Sequence, residues 1–215
     1  MRFPNRSKAG QLLAQKLAGY TNSLDVIVLA LPRGGVPVGF EVAFTLNVPL
    51  DIIIVRKLGV PDREELAMGA IASGDVRVLN DDTIDWLQIP RSIIDRITEM
   101  EKVELHRREN AYRGTGPPLD PAGKTVILVD DGIATGSTMR AAVAAVRSRN
   151  PQRVVIAVPT APDSTAKELR NVADDFVTLI APDEFVGVGQ WYDDFRQVSD
   201  EVVRDLYERA TRVSN

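Results

Sequence analysis

Residues 125–143 read TVILVDDGIATGSTMRAAV, and the order of residue types in this stretch decides the fold. Thr125–Val129 is a short apolar run rich in β-branched residues, which marks a buried strand. Asp130 and Asp131 follow at its end, then Gly132, Ile133, Ala134, Thr135, Gly136, Ser137 and Thr138, and an alanine-rich helical pattern runs from Ser137 to Arg149. Two adjacent carboxylates repel each other, so their surroundings must compensate, either with hydroxyl donors or with a divalent cation. Gly132 and Gly136 permit a tight turn or a close approach of backbone to ligand. Thr135, Ser137 and Thr138 offer hydroxyls beside the unpaired N–H groups of a first helical turn, where a phosphate also gains from the helix dipole. The composite suits a phosphorylated sugar, with its diol at the aspartates and its phosphate at TGST. The plainer alternative for the aspartates is a loop whose last acid caps a helix.

Working outward, the same alternation recurs. Ser7–Gly19 reads as a helix, Asp25–Leu31 as a buried strand, Val36–Leu46 as a helix and Leu50–Val55 as a second buried strand. Ala70–Leu79 holds one or two short strands around Ser73, Gly74 and Asp75. Ser92–Tyr112 is the longest helix, and Gly114–Gly123, GTGPPLDPAG, is a loop or a segment boundary. After the central strand and helix come a strand at Arg153–Val158, a helix at Ser164–Asn171, a strand at Phe176–Ile180 and a last helix at Asp200–Ala210. Continuous apolar strands alternating with helices predict an α/β fold, a parallel sheet with helices on both faces. In such sheets ligands sit beyond the carboxyl ends of the strands. PRGG at 32–35, Arg56–Lys57 and DDGIATGST all fall there.

Composition narrows the function classes. The 215 residues contain no cysteine and a single histidine, which excludes disulfides, a cysteine nucleophile and a multi-histidine metal site. His106 lies on a charged helical stretch and reads as a surface or packing residue. A net charge of −4 with no basic block argues against nucleic acid as a partner on charge alone. No apolar run reaches the roughly 18 residues of a membrane span, and the start MRFPNRSKAG has no apolar segment of a signal peptide. The expected location is the cytoplasm. Walker A, GxGxxG and GxSxG patterns are all absent.

ILVDDGIATGST, Ile127–Thr138, resembles the binding motif of the type I phosphoribosyltransferases for 5-phosphoribosyl-1-pyrophosphate (PRPP). The resemblance implies that Asp130 and Asp131 hold the ribose 2- and 3-hydroxyls and that Thr135–Thr138 hold the 5-phosphate. LALPRGGVP, Leu29–Pro37, is similar to the family's pyrophosphate loop, with Arg33, Gly34 and Gly35 as contacts and a cis bond expected at Pro32–Arg33. Arg56 and Lys57, at the end of the second strand, are implied to neutralise the leaving pyrophosphate, or one of them pairs with Asp62, Glu64 or Glu65. Leu58–Met68 resembles in place the mobile loop that closes over substrate. In DEFVGVGQWYDDFRQV, Asp183–Val198, the implied roles are Phe185 on a planar base and Asp193 near magnesium and pyrophosphate, although packing at the sheet end serves the aromatics equally well.

The resemblance implies one domain over residues 1–215, with a helical insertion or hood at 81–113, and a homodimer. Among its relatives the motif order PRGG, RK(L/V)G and VDDGxATG is most similar to bacterial phosphoribosyltransferases of undefined acceptor. The implied function is Mg²⁺-dependent transfer of phosphoribose from PRPP to a nitrogen acceptor, such as a nucleobase. Mg²⁺ is expected to be held mainly by PRPP and water. A PRPP-binding regulator with little turnover is the alternative, and a nonenzymatic scaffold leaves the convergence of motifs unexplained.

Overall fold

The computed structural model describes residues 2–113 and 118–213, so part of the loop expected at 114–123 lies outside the described residues. A five-stranded sheet forms the core. Its strands are β1 (Val26–Ala30), β2 (Leu50–Ile52), β6 (Thr125–Val129), β7 (Arg153–Thr160) and β8 (Asp175–Ile180), all parallel, in the order β2-β1-β6-β7-β8. Every residue of β1 is buried, as are Val126–Val129 of β6, because helices cover both faces. The alternation along each strand sorts the core into two layers. Val28, Ala30, Ile127 and Val129 face α1 (Arg6–Lys16), α2 (Gly35–Leu46) and α7 (Asp200–Val213). Ile27, Leu29, Val126 and Leu128 face α5 (Ser137–Arg147) and α6 (Asp163–Leu169).

The strand order fixes where a ligand can enter. After β1 the chain crosses to β2 on one side; after β6 it moves to β7 and β8 on the other. The loops leaving β1 and β6 therefore diverge, and the crevice between them is the topological switch point. The register pairs Ala30 with Val129, so both loops leave the sheet at the same level.

The run Leu50–Val55 is not one strand. β2 ends at Ile52, and the chain turns through Ile53 and Ile54, whose N–H groups donate to the Ala30 carbonyl at 3.0 Å and the Ser73 hydroxyl at 3.0 Å. It then enters a second, antiparallel sheet of β3 (Val55–Val60), β4 (Arg63–Ala72) and β5 (Val76–Leu79). Arg56 and Lys57 accordingly stand on β3, not at the end of a core strand. The expected loop Leu58–Met68 is most of the β3–β4 hairpin, with its turn at Pro61–Asp62, where Asp62 has φ 62°. A continuous apolar run cannot show that the chain changes sheets, and a polar hairpin tip looks like a loop. Where one or two short strands are expected around Ser73–Asp75 there are two, the end of β4 and β5, joined through left-handed Gly74 and Asp75.

Two helices follow, α3 (Asp81–Leu87) and the 23-residue α4 (Arg91–Arg113). Asn80 caps α3 by accepting from the Thr83 N–H. Both α4 and α5 pack against the antiparallel sheet. At the far end of α4, Arg113 reaches into the core. Its Nε donates to Asp51 of β2 at 3.0 Å and its Nη2 to the Ile52 carbonyl at 2.6 Å. The other Asp51 oxygen accepts the Leu119 N–H at 2.8 Å. Side-chain exposures of 6% for Arg113 and 2% for Asp51 make this a buried ion pair with its hydrogen bonds made.

Candidate functional site

The loop after β1 begins at Leu31, whose N–H donates to the Val129 carbonyl at 2.9 Å. The Pro32–Arg33 peptide bond is cis, as the resemblance of this loop implies. Gly35 returns its N–H to Leu31 and Val36 to Arg33, which starts α2. The N–H groups of Arg33 and Gly34 find no partner among the described residues. Both glycines lie hard against the other loop. A Cβ on Gly34 would stand 2.1 Å from Oδ2 of Asp131, and one on Gly35 would stand 2.7 Å from the Val129 carbonyl oxygen and 2.8 Å from the Asp130 Cα.

The loop after β6 is anchored at its base and open at its top. The Ile133 side chain is buried in the core and its N–H donates to the Thr160 carbonyl at 2.9 Å. Gly132 is crowded by Val188, which a Cβ would approach to 2.5 Å. The Thr165 hydroxyl donates to the Ala134 carbonyl at 2.9 Å, and Arg140 donates to that of Thr135 at 2.6 Å. Gly136 adopts φ 76°, the left-handed conformation that lets the chain turn straight into α5. With the carbonyls tied back, the N–H groups of Thr135, Gly136, Ser137 and Thr138 have no partner among the described residues. The Thr135 and Ser137 hydroxyls share a hydrogen bond at 3.3 Å at the same edge. This is an anion cradle at the N-terminus of an eleven-residue helix.

Between the two loops stand the aspartates. An Asp130 oxygen accepts the Asp131 N–H at 2.8 Å. Burial holds the Asp130 carboxyl well above its ordinary range, and the negative charge of Asp131 adds to the effect. Burial raises Asp131 as well, against the charge of Arg6, whose Nε donates to Asp131 Oδ2 at 2.8 Å. Tyr192 donates its hydroxyl to the Asp131 carbonyl at 2.5 Å; burial and the nearby Asp131 charge push that hydroxyl's pKa up. Each carboxylate has one donor here, the Asp131 N–H for Asp130 and Arg6 for Asp131, and a vicinal diol supplies two more.

The remaining sequence candidates are more dispersed. Arg33 projects to Asp200 at the start of α7, 3.5 Å away, and Asp200 also accepts from the Tyr112 hydroxyl at 2.9 Å. Arg56 pairs with Glu101 of α4 at 2.6 Å, and Lys57 faces Ala70 across the hairpin. The side chains of Glu64 and Glu65, named above as possible partners, lie outside the described residues. Phe185 stacks on Trp191 with ring centroids 6.3 Å apart. Asp193 pairs with Arg2 at 3.3 Å and donates its N–H to the Phe3 carbonyl. Arg6 and Tyr192 are absent from the sequence candidates. The Asn5 cap of α1 is the one local signal near Arg6, and nothing local links it to a residue 125 positions away.

Among the described residues no group of three acids or histidines forms a metal cage, and a divalent cation that brings its own phosphate and water oxygens needs none. No helix among the described residues is long and apolar enough to cross a membrane.

The family model "Phosphoribosyl transferase domain" matches residues 4–196. A putative phosphoribosyl transferase of Mycobacterium tuberculosis is 44% identical over 210 residues, which are 98% of this chain and 47% of that protein. A "Bifunctional protein PyrR" of Chloroflexus aurantiacus is 34% identical over 111 residues, 50% of this chain and 55% of that protein. The chain thus spans about half the length of these relatives. The crystal structure of TT1426 from Thermus thermophilus superposes with a TM-score of 0.89 at 40% identity, covering 97% of this chain and 99% of that one. With the fold and the match over most of its length in agreement, the chain belongs to the phosphoribosyl transferase domain family.

Proposed function

We propose that the protein binds PRPP at the switch point and transfers its phosphoribosyl group to a nitrogen acceptor, releasing pyrophosphate. The observation that carries this reading is the contact of two loops with unpaired N–H groups across the Asp130–Asp131 pair. The Thr135–Thr138 cradle takes the 5-phosphate, the aspartates accept hydrogen bonds from the ribose 2- and 3-hydroxyls, and the Arg33–Gly34 N–H groups and the Arg33 guanidinium take the pyrophosphate. A nitrogen lone pair forms the bond to C1 as the C1–oxygen bond to pyrophosphate breaks, and the electron pair leaves with the pyrophosphate. Positive charge grows on the ribose ring in that step, next to two carboxylates that are ionised once the diol is bound. Mg²⁺, held chiefly by pyrophosphate oxygens and water, neutralises the leaving group when present. Phe185, stacked on Trp191, is the ring that the resemblance implies for a planar base acceptor.

The test is calorimetric titration with PRPP and Mg²⁺, followed by a pyrophosphate-release screen across nucleobases and other amines. PRPP binding with acceptor-dependent release is expected. Binding with no release for any acceptor assigns the same pocket to a PRPP-sensing regulator. No PRPP binding by folded protein rejects both.

A further inference from the structure

Asp131 is held from behind by two segments that the sequence does not connect to it. Residues 2–4 run beside the 3-10 turn Val188–Trp191 and its continuation. The Phe3 N–H donates to the Trp191 carbonyl at 2.7 Å, and the N–H groups of Asp193 and Asp194 donate to the Phe3 and Pro4 carbonyls at 2.9 and 3.0 Å. Asn5 then caps α1, which begins at Arg6. The Arg6 guanidinium lies 3.9 Å from the centroid of the Phe195 ring and 5.9 Å from that of Tyr192. Its Nη1 donates to the Arg196 carbonyl at 2.8 Å, which leaves Nε aimed at Asp131 Oδ2. The two side chains of this pair are only 11% and 13% exposed.

That arrangement is specific for the carboxylate. A planar cation clamped on an aromatic face and a carbonyl has one orientation, so it fixes the rotation of the carboxylate it holds. Gly34 lies against the same oxygen, Oδ2, with no room for a Cβ, so the carboxylate is confined from a second loop. Burial alone would favour the neutral acid, which donates a hydrogen bond where a sugar hydroxyl also needs to donate; a nearby cation favours the acceptor form.

We infer that Arg6 is a positioning residue for the sugar, keeping the Asp131 carboxylate ionised and turned so that it accepts from the ribose diol. This rests on the PRPP reading of the site. The charged and titratable groups facing Asp131 are Arg6 from α1, Asp130 beside it and Tyr192 from the 188–192 segment, with the Asp194–Arg196 pair behind Arg6. Arg6 is the cation in direct contact.

The experiment measures binding of PRPP·Mg²⁺ and, separately, of pyrophosphate·Mg²⁺ between pH 5 and 9 for the parent, Arg6→Gln and Arg6→Lys. Losing the charge-assisted bond in Arg6→Gln should weaken PRPP binding about tenfold or more at pH 7 and move its acid limb up by about one pH unit. Pyrophosphate, which has no diol, should bind as before. Arg6→Lys restores the charge but not the fork, so the acid limb should return while part of the affinity stays lost. Unchanged PRPP affinity and pH dependence in Arg6→Gln overturns the inference. So does equal loss of both ligands with a lowered Tm, which makes Arg6 a structural staple. If Arg6→Gln does not fold, Arg6→Lys decides: it should lose PRPP affinity but keep pyrophosphate affinity, and equal loss of both overturns the inference. A folded parent that binds no PRPP defeats the site reading itself, which separates that failure from a failure of Arg6.

Discussion

Gly34 and Asp131, from loops on different strands, meet so closely that a Cβ on the first would sit 2.1 Å from a carboxylate oxygen of the second. Gly34 has φ −61° and ψ −36°, which any residue adopts, so glycine is required here for space and not for conformation. The contact locks the loop after β1 to the loop after β6. Gly34→Ala should push the Asp131 carboxylate off Arg6, lower PRPP affinity about tenfold or more, and destabilise the fold by about 1–3 kcal/mol. Calorimetry and thermal melts check this, and parent-like PRPP binding would show that the carboxylate has room to retreat.

Asp131→Ala should remove two acceptor oxygens from the diol while leaving the core strands untouched. The expected loss in PRPP affinity is about tenfold to a hundredfold, with inorganic phosphate or pyrophosphate binding little changed. Titrations of all three ligands measure it; uniform loss would point to a collapsed loop.

Asp130→Asn should trade function for stability, and the gain should depend on pH. The folded protein holds the Asp130 carboxyl above its ordinary value of 3.8, so folding favours the protonated form. That contribution is fully present below the unfolded value and is lost as pH rises through the folded one. The asparagine has no such loss. The parent and variant should therefore melt together near pH 3, and the variant should gain on the order of 1 kcal/mol, about 2–4 °C, at pH 7–8. A gain independent of pH would contradict this assignment.

Arg33→Ala should weaken pyrophosphate binding about tenfold and leave ribose 5-phosphate within about twofold. Its pair with Asp200 is about one-third exposed on both sides, so Tm should barely move. Equal effects on the two ligands would remove Arg33 from the pyrophosphate end.

Arg113→Met leaves Asp51 charged and buried without its partner. A loss of about 3–5 kcal/mol in urea unfolding is expected, because desolvation of the orphaned carboxylate is no longer offset. Asp51→Asn with Arg113→Met should recover part of that loss. Absence of coupling in this double-mutant cycle would mean that the pair contributes nothing.

The parts of this molecule that could be read from sequence are those written contiguously. DDGIATGST holds strand end, carboxylates, turn glycine and helix start within nine positions, and its register beside PRGG follows from the parallel order of the strands. The central strands β1, β6 and β7 are legible because both their faces are buried and their runs are almost wholly apolar. Legibility fails where the chain changes direction without changing composition. LDIIIV crosses from one sheet to another at Ile53, and the apolar letters carry no sign of it. It fails again where partners are distant in sequence. Arg6 and Asp131 are 125 residues apart and Arg113 and Asp51 are 62 apart, and in neither pair does the local pattern around one member call for the other.

The Arg113–Asp51 pair also bears on mechanics. α4 is a rod of about 34 Å at 1.5 Å per residue, and one end of it is riveted to the central sheet. A rod pinned at one end is a lever. Any rocking of the small antiparallel sheet that travels with α4 is smallest beside β2 and grows with distance from the rivet. The end of α4 beside β2 is then its fixed end, and a change in the tilt of the rod leaves that strand where it is.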